Sequence, residues 1–304
     1  MTLIKRLIPH VHLRLLQPVH CHRDRTSWIC QLLQARKTME RIIRPHVKNR
    51  ITELFKRKNH NILSVYYTAG FPKLGDTVAI AQHLEEAGAD IIEIGIPFSD
   101  PIADGPVIQA SNKVALDNGM TVKKLIEQVS EARKQVKVPI ILMGYINPII
   151  QYGVEKFCVD AAVAGVDGLI LPDMPMDEYQ SEYREVFEVH QLSNTFLISP
   201  TTSEARIRKI DEATNGFIYA VSSSSTTGAK EGFSSLQETY FNKLQTMKLR
   251  NPFLIGFGIS NKETFSNACK YGAGAIVGSA FISMLNESKD LKADINNFVG
   301  GIKN

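Results

Sequence analysis

From about residue 50 onward, short apolar runs alternate with segments whose apolar positions recur at helical spacing. Residues 63–68, 90–96, 139–143, 168–171, 195–199, 217–222, 252–256 and 275–277 are eight such runs, each short enough for a strand. Nearly continuous apolar character, rather than strict alternation, predicts strands covered on both faces, as in a parallel sheet. The intervening segments predict helices, and their ends carry a repeated junction. Ala87-Gly88-Ala89-Asp90, Ala164-Gly165-Val166-Asp167 and Tyr271-Gly272-Ala273-Gly274 each precede a strand. Each first glycine is expected to form a left-handed helix cap. Eight right-handed βα units predict an α/β protein closed as a (β/α)8 barrel, a TIM barrel. Lys48-Asn49-Arg50-Ile51-Thr52-Glu53-Leu54-Phe55 predicts an opening helix with Ile51, Leu54 and Phe55 on one face.

Composition changes this picture at one place. Apolar residues make up 44% of the 304, enough for a sizeable core. Residues 1–50 hold eleven Lys and Arg against two Asp and Glu, a net of +9. The remaining residues hold 24 against 29, a net of −5. Residues 1–46 also contain five of the eight histidines, the sole tryptophan and no glycine, so they match no βα unit. A basic, acid-poor start reads as a transit peptide, a nucleic-acid arm or an extension outside the fold. The favoured division is an extension over 1–46 and a single barrel domain over 47–304. A mildly acidic barrel argues against a nucleic-acid partner. No run of 18 apolar residues predicts a membrane span. Cys21, Cys30, Cys158 and Cys269 show neither paired nor zinc spacing, as expected of reduced thiols in the cytoplasm.

The candidate chemistry is concentrated at the end of the second strand. Glu93 stands among isoleucines. A carboxylate there must be paired, protonated or put to use, because burying it bare is prohibitively costly. An internal ion pair is the plain alternative. The chain leaves that strand through Pro97-Phe98-Ser99-Asp100-Pro101-Ile102-Ala103-Asp104-Gly105-Pro106, which can continue neither strand nor helix. Asp104 reads as a second functional acid or as a turn or cap residue, and Asp100 as a turn former. In barrels of this kind chemistry sits at the C-terminal ends of the strands. Those ends bring in Thr68, the segment 145–148, Asp173-Met174-Pro175, the segment 219–225, Gly256-Phe257-Gly258 and Gly278-Ser279. Gly228, Gly258 and Gly278, with Ser279 opening a helix, suit a phosphate held by backbone amides, although plain turns fit them equally well. No lysine lies at a strand end, so an enamine mechanism lacks its nucleophile. His60, His83 and His190 lie away from the strand ends, so no metal site is expected.

The run Glu93-x-Gly95-x-Pro97-Phe98-Ser99-Asp100-Pro101-x-Ala103-Asp104-Gly105-Pro106 resembles the signature of the tryptophan synthase alpha subunit family. Similarity extends from about Arg50 to the C-terminus and does not reach residues 1–46. The resemblance implies a lyase of tryptophan biosynthesis that cleaves indole-3-glycerol phosphate to indole and glyceraldehyde-3-phosphate. It implies Glu93 and Asp104 as the catalytic acids and Tyr66, Tyr145, Asp173, Tyr219 and Thr227 around the substrate. It places the phosphate on Gly228, Gly258, Gly278 and Ser279. It implies no cofactor in this chain and a beta-subunit partner that carries pyridoxal phosphate, in an alpha2beta2 heterotetramer docked through the rim at Pro97, Asp100, Asn147 and Pro175. One departure stands out: three serines in Ser222-Ser223-Ser224-Ser225-Thr226-Thr227-Gly228 replace a common Arg-Ser-Gly. A stand-alone lyase, a phosphosugar isomerase or synthase of the same fold, and a non-catalytic allosteric barrel are the competing readings.

Overall fold

A computed structural model describes residues 47–222, 233–256 and 258–303. The barrel unit spans His46–Asn304. The expected extension over 1–46 lies outside the described residues.

Helix α1 (Arg50–Arg57) starts at Asn49, whose side chain accepts from the amides of Ile51 and Thr52 while the Thr52 hydroxyl accepts from the Asn49 amide. These are reciprocal caps for donors that a helix start leaves unpaired. Its apolar face is the expected one. Ile51 and Leu54 are buried, and the half-buried Phe55 packs on Phe217 with ring centroids 5.8 Å apart. Ile51 and Leu54 form one cluster with Ile62, Ile91, Ile141, Ile170, Phe217, Leu254 and Ile276, residues in or beside the barrel strands. The helix therefore plugs the N-terminal end of the barrel. Removing most of the Ile51 side chain should cost about 2–5 kcal/mol, because little there can collapse into the space.

The strands are β1 (Ile62–Thr68), β2 (Ile91–Gly95), β3 (Ile140–Met143), β4 (Gly168–Ile170), β5 (Ser193–Thr195), β6 (Leu197–Ile198), β7 (Ile218–Val221), β8 (Phe253–Gly256) and β9 (Gly274–Val277). All pairings are parallel, in the order β5-β4-β3-β2-β1-β9-β8-β7-β6. β5 and β6 are separated by Phe196 alone, so together they serve as the fifth of eight staves and close the barrel covalently. The sequence predicts one strand over 195–199. Instead Ser193–Thr195 pairs with β4, and Leu197–Ile198 pairs with β7. The polar trio Ser193-Asn194-Thr195 is a buried strand partly because the Asn49 amide donates to the Ser193 hydroxyl at 3.0 Å.

Helices between strands include α2 (Asp76–Ala87), α3 (Pro106–Asp117), α4 (Val122–Arg133), α5 (Ile146–Tyr152) and α6 (Val154–Ala164). After β4 the chain forms α7 (Met176–Glu178), a π turn (Tyr179–Tyr183) and α8 (Arg184–Val189). The remaining helices are α9 (Glu204–Ala213), α10 (Ser235–Thr246), α11 (Lys262–Cys269), α12 (Ser279–Glu287) and α13 (Leu291–Lys303). Two of the three glycine junctions are left-handed caps as expected, Gly88 at φ +97 and Gly165 at φ +91. The third is not. α11 ends on Lys270 in right-handed conformation, and Gly272 is required by proximity, since a Cβ there would lie 2.9 Å from the Phe253 carbonyl oxygen. At the barrel floor Asp167, 1% exposed, holds both Arg50 (3.1 Å) and Arg133 (2.9 Å), so this buried charge is fully paired.

Candidate active site

Glu93 lies on β2, opposite Tyr66 of β1 and Ile141 of β3, and is 0% exposed. Its Oε1 accepts a 2.6 Å hydrogen bond from the Ser64 hydroxyl, while Oε2 has no hydrogen-bond partner among the described residues. No cation faces it, so the internal ion pair is not the arrangement found among the described residues. Burial raises its carboxyl to about 7, against a smaller lowering by the Ser64 bond. Near neutral pH both protonation states are therefore accessible, as an acid–base group requires.

The loop after β2 carries Asp104 back over the strand ends. Ile96 N donates to the Met143 carbonyl at 2.7 Å, and Phe98 N donates to Asn112 Oδ1 at 3.2 Å. The Phe98 ring packs on Tyr145 with centroids 5.2 Å apart. Asp104 N then closes a turn on the Pro101 carbonyl at 3.0 Å, and Gln109 Nε2 binds the Asp104 carbonyl at 2.8 Å. Asp104 is half-buried. Desolvation raises its carboxyl to about 6, opposed by the Tyr145 hydroxyl, which donates to Oδ2 at 3.4 Å. The plain helix-cap reading does not hold, because Gly105 is the cap of α3.

Two more tyrosines complete the wall. Burial, chiefly, and the charges of Asp104 and Glu93 raise the hydroxyl of Tyr66. Burial first, then Glu93 and Asp104, raises that of Tyr219 on β7. Each hydroxyl lies over a strand-end glycine. A Cβ at Gly95 would lie 2.3 Å from Tyr66 Oη, and one at Gly256 would lie 2.3 Å from Tyr219 Oη. Glu93, Asp104, Tyr66, Tyr145 and Tyr219 thus form one electrostatically linked group.

The anion site predicted beside them lies at the start of α12. Gly278 caps that helix, Ser279 is its first residue, and a Cβ on Gly278 would meet Tyr66 Cδ1 at 3.6 Å. The helix start therefore abuts the tyrosine wall, where first-turn amides favour negative charge. Gly258 has φ +77, a left-handed conformation that glycine adopts without the strain a side chain would bring. Thr227 and Gly228 lie outside the described residues, as do Ser223, Ser224 and Ser225.

At the rim, Asp100, Asn147, Asp173 and Pro175 are exposed, whereas Pro97 is buried. The carboxylate of Asp173 accepts from Ile146 N at 3.0 and 3.2 Å and so caps the start of α5. Ser64, Asn112 and Gln109 are site residues that the sequence reading passed over. Ser64 carries a legible signal: it is the one hydroxyl residue between Ile62 and Val65, two positions before Tyr66 and therefore on the same face. Among the described residues no group of three His, Cys, Asp or Glu is placed to hold a metal ion.

The whole barrel is similar to known proteins. The family described as "Tryptophan synthase alpha chain" matches residues 53–299. The chain belongs to this family. It is 56% identical over 255 residues to the tryptophan synthase alpha chain of Flavobacterium johnsoniae, covering 84% of this chain and all of that one. With its counterpart from Parabacteroides distasonis it shares 53% over 237 residues, covering 78% and 92% of the two chains. A crystal structure of tryptophan synthase subunit alpha from Legionella pneumophila superposes with a TM-score of 0.75 at 34% identity, covering 84% and 97%. An aminoacrylate-bound tryptophan synthase from M. tuberculosis gives 0.74 at 30%, covering 84% and 98%. The chain is accordingly a lyase of tryptophan biosynthesis that carries out the alpha reaction. Alpha chains of this family need no cofactor of their own and pair with a beta subunit, which holds the pyridoxal phosphate.

Proposed function

We propose that this chain cleaves indole-3-glycerol phosphate through two carboxyl groups with different duties. Protonated Glu93 delivers its proton to indole C3, which makes the ring an iminium-like cation. The glycerol hydroxyl then loses its proton to the Glu93 carboxylate, the carbon–carbon bond breaks, and its electron pair returns to the ring. Indole and glyceraldehyde-3-phosphate leave, and Glu93 is protonated again. Asp104 stays ionised, accepts the indole N–H and stabilises the positive charge that develops on the ring. Two carboxyls in different surroundings, one wholly buried on a strand and one half-buried on a loop, suit that division. Tyr66 and Tyr219 flank the indole, with Tyr145, Asp173 and Thr227 completing the substrate surround. The phosphate lies on Gly228, Gly258, Gly278 and Ser279.

The observation that carries this reading is the wholly buried Glu93 carboxyl, with one oxygen held and no cation against it among the described residues, in the same group as Asp104. Glu93→Gln should keep the fold and reduce indole release by about 10²–10⁴-fold, the usual contribution of a proton-transfer group. Retention of more than about a tenth of the wild-type rate would remove Glu93 from that role.

The same reading extends to the assembly. We place the pairing with the beta subunit on the exposed rim of Asp100, Asn147 and Pro175, with the buried Pro97 stiffening the loop beneath it, in an alpha2beta2 heterotetramer. Cytoplasmic residence is supported by the unpaired thiols of Cys158 and Cys269. Residues 1–46 are taken as an extension that the catalytic barrel over 47–304 does not need.

A further inference from the structure

Ser64 is 0% exposed, and its hydroxyl sits one level below the reacting carboxyl inside the barrel. Its strand neighbours at that level are Ile91 and Ile276, both apolar and buried. The interior here is otherwise filled by Ile62, Ile91, Ile141, Leu254 and Ile276. A hydroxyl among such residues is costly unless it is bonded. Ser64 Oγ meets that need with Glu93 Oε1, at 2.6 Å. The short bond fixes which carboxyl oxygen is tied down and which is left to react.

We propose that Ser64 is a positioning residue for the lyase reaction: it clamps Oε1 of Glu93 against the barrel interior, so that Oε2 is the oxygen that moves protons. The inference rests on Glu93 being the acid–base group. Among the described residues, the groups that face Glu93 are few. Tyr66 approaches from β1, Tyr219 from β7 and Asp104 from the loop, while the facing position on β3 is Ile141. None of these supplies a positive charge, so the Ser64 hydroxyl is the principal group favouring the ionised form of Glu93. Its removal should raise the Glu93 titration by about one pH unit, the scale expected for a hydrogen bond to a charged group.

Ser64→Thr and Ser64→Val provide the test, because they match in volume and differ in the hydroxyl. Ser64→Ala serves as a third variant should Val strain the interior. Glu93 is titrated directly in the full-length chain by the carboxyl carbon resonance, assigned by its loss in Glu93→Gln. Indole release is followed across pH in parallel, with the beta subunit present. In Ser64→Val and Ser64→Ala the titration and the descending limb of kcat should both move up by about one pH unit. The maximal rate across the pH profile should fall about tenfold because Oε2 is no longer held in place, with KM within about twofold, since the clamp positions the carboxyl and does not touch the substrate. Ser64→Thr should behave like wild type in both readouts. A titration that is unmoved in Val and Ala, or moved equally in Thr, overturns the clamp and leaves Ser64 as filler. A titration that moves while the kinetic limb stays fixed overturns the reading of Glu93 as the acid–base group, and with it the proposal.

Discussion

The Tyr145 hydroxyl sits between the backbone and the carboxylate of one loop: it accepts from Ala103 N at 2.9 Å and donates to Asp104 Oδ2 at 3.4 Å. Tyr145 itself is fixed at the start of α5, with its ring against Phe98, so the loop is pinned to a helix end. The contact favours ionised Asp104, the form needed to meet an indole N–H.

The activity profile should therefore rise as Asp104 ionises, near 6, and fall as Glu93 loses its proton, near 7. Tyr145→Phe removes the donor and raises Asp104 further. Its rising limb should move up by roughly half a pH unit, a modest shift because the bond is long. The descending limb should stay in place. Measuring kcat against pH checks this, and a shift of the descending limb alone would break the assignment of the two carboxyls.

Burial of Glu93 also ties stability to pH. Its carboxyl titrates near 7 in the fold against an ordinary value of 4.5, so folding favours the protonated form. The associated stability is fully present below about 4.5 and is lost as pH rises through about 7. Between pH 5 and 8 the wild type should lose on the order of 3 kcal/mol from this group. Glu93→Gln cannot ionise there, so its melting temperature should fall less over the same range. Parallel melting curves for the two proteins would show that Glu93 does not titrate as a buried acid.

Much of this was legible in the sequence because it is written locally. Glu93 among isoleucines and the proline-rich exit to Asp104 announce a charged strand end and a stiff loop, and the structure joins those two acids to Tyr66, Tyr145 and Tyr219. Helix α1 followed from the spacing of Ile51, Leu54 and Phe55. What escaped depends on distant partners. The polar strand β5 needs Asn49, 144 residues from Ser193. The place of Ser64 needs Glu93, 29 residues away. Gly272 looked like Gly88 and Gly165 because all three follow helices, yet its cause is the Phe253 carbonyl on a neighbouring strand. Periodicity records which residues face inward, not which of them meet.

Gly278→Asp would bring a side chain and a negative charge to the start of α12. Binding of indole-3-glycerol phosphate should weaken by about tenfold or more, since first-turn amides favour anions and a carboxylate there repels the phosphate. Binding of indole alone should change little. Calorimetry with both ligands separates these outcomes, and equal losses would place the phosphate elsewhere.

Deleting residues 1–46 should leave the melting temperature and indole release unchanged. The segment matches no βα unit, and the helix that plugs the barrel begins at Arg50, with its own cap at Asn49. A clear drop in melting temperature on truncation would make those residues part of the folded unit.

Asp100 separates the effect of the partner from the basal chemistry. Its side chain accepts from Ser99 Oγ at 2.6 Å and its carbonyl accepts from Ile102 N at 2.9 Å, so it shapes the tip of the loop that ends in Asp104. That tip holds Ile102 at 89% exposure, an apolar side chain for which the isolated barrel offers no cover. A beta subunit seated there would bury it and restrict the loop, which would order Asp104 against Glu93. Coupling of this kind typically amounts to about 1–3 kcal/mol, or roughly 5–150-fold. Adding the cognate beta subunit should therefore raise indole release by one or more orders of magnitude. Asp100→Ala should diminish that activation more than it lowers the basal rate, as a titration of the beta subunit against rate would show. Full activity without a partner, indifferent to change at Asp100, would instead make this barrel a lyase that works alone.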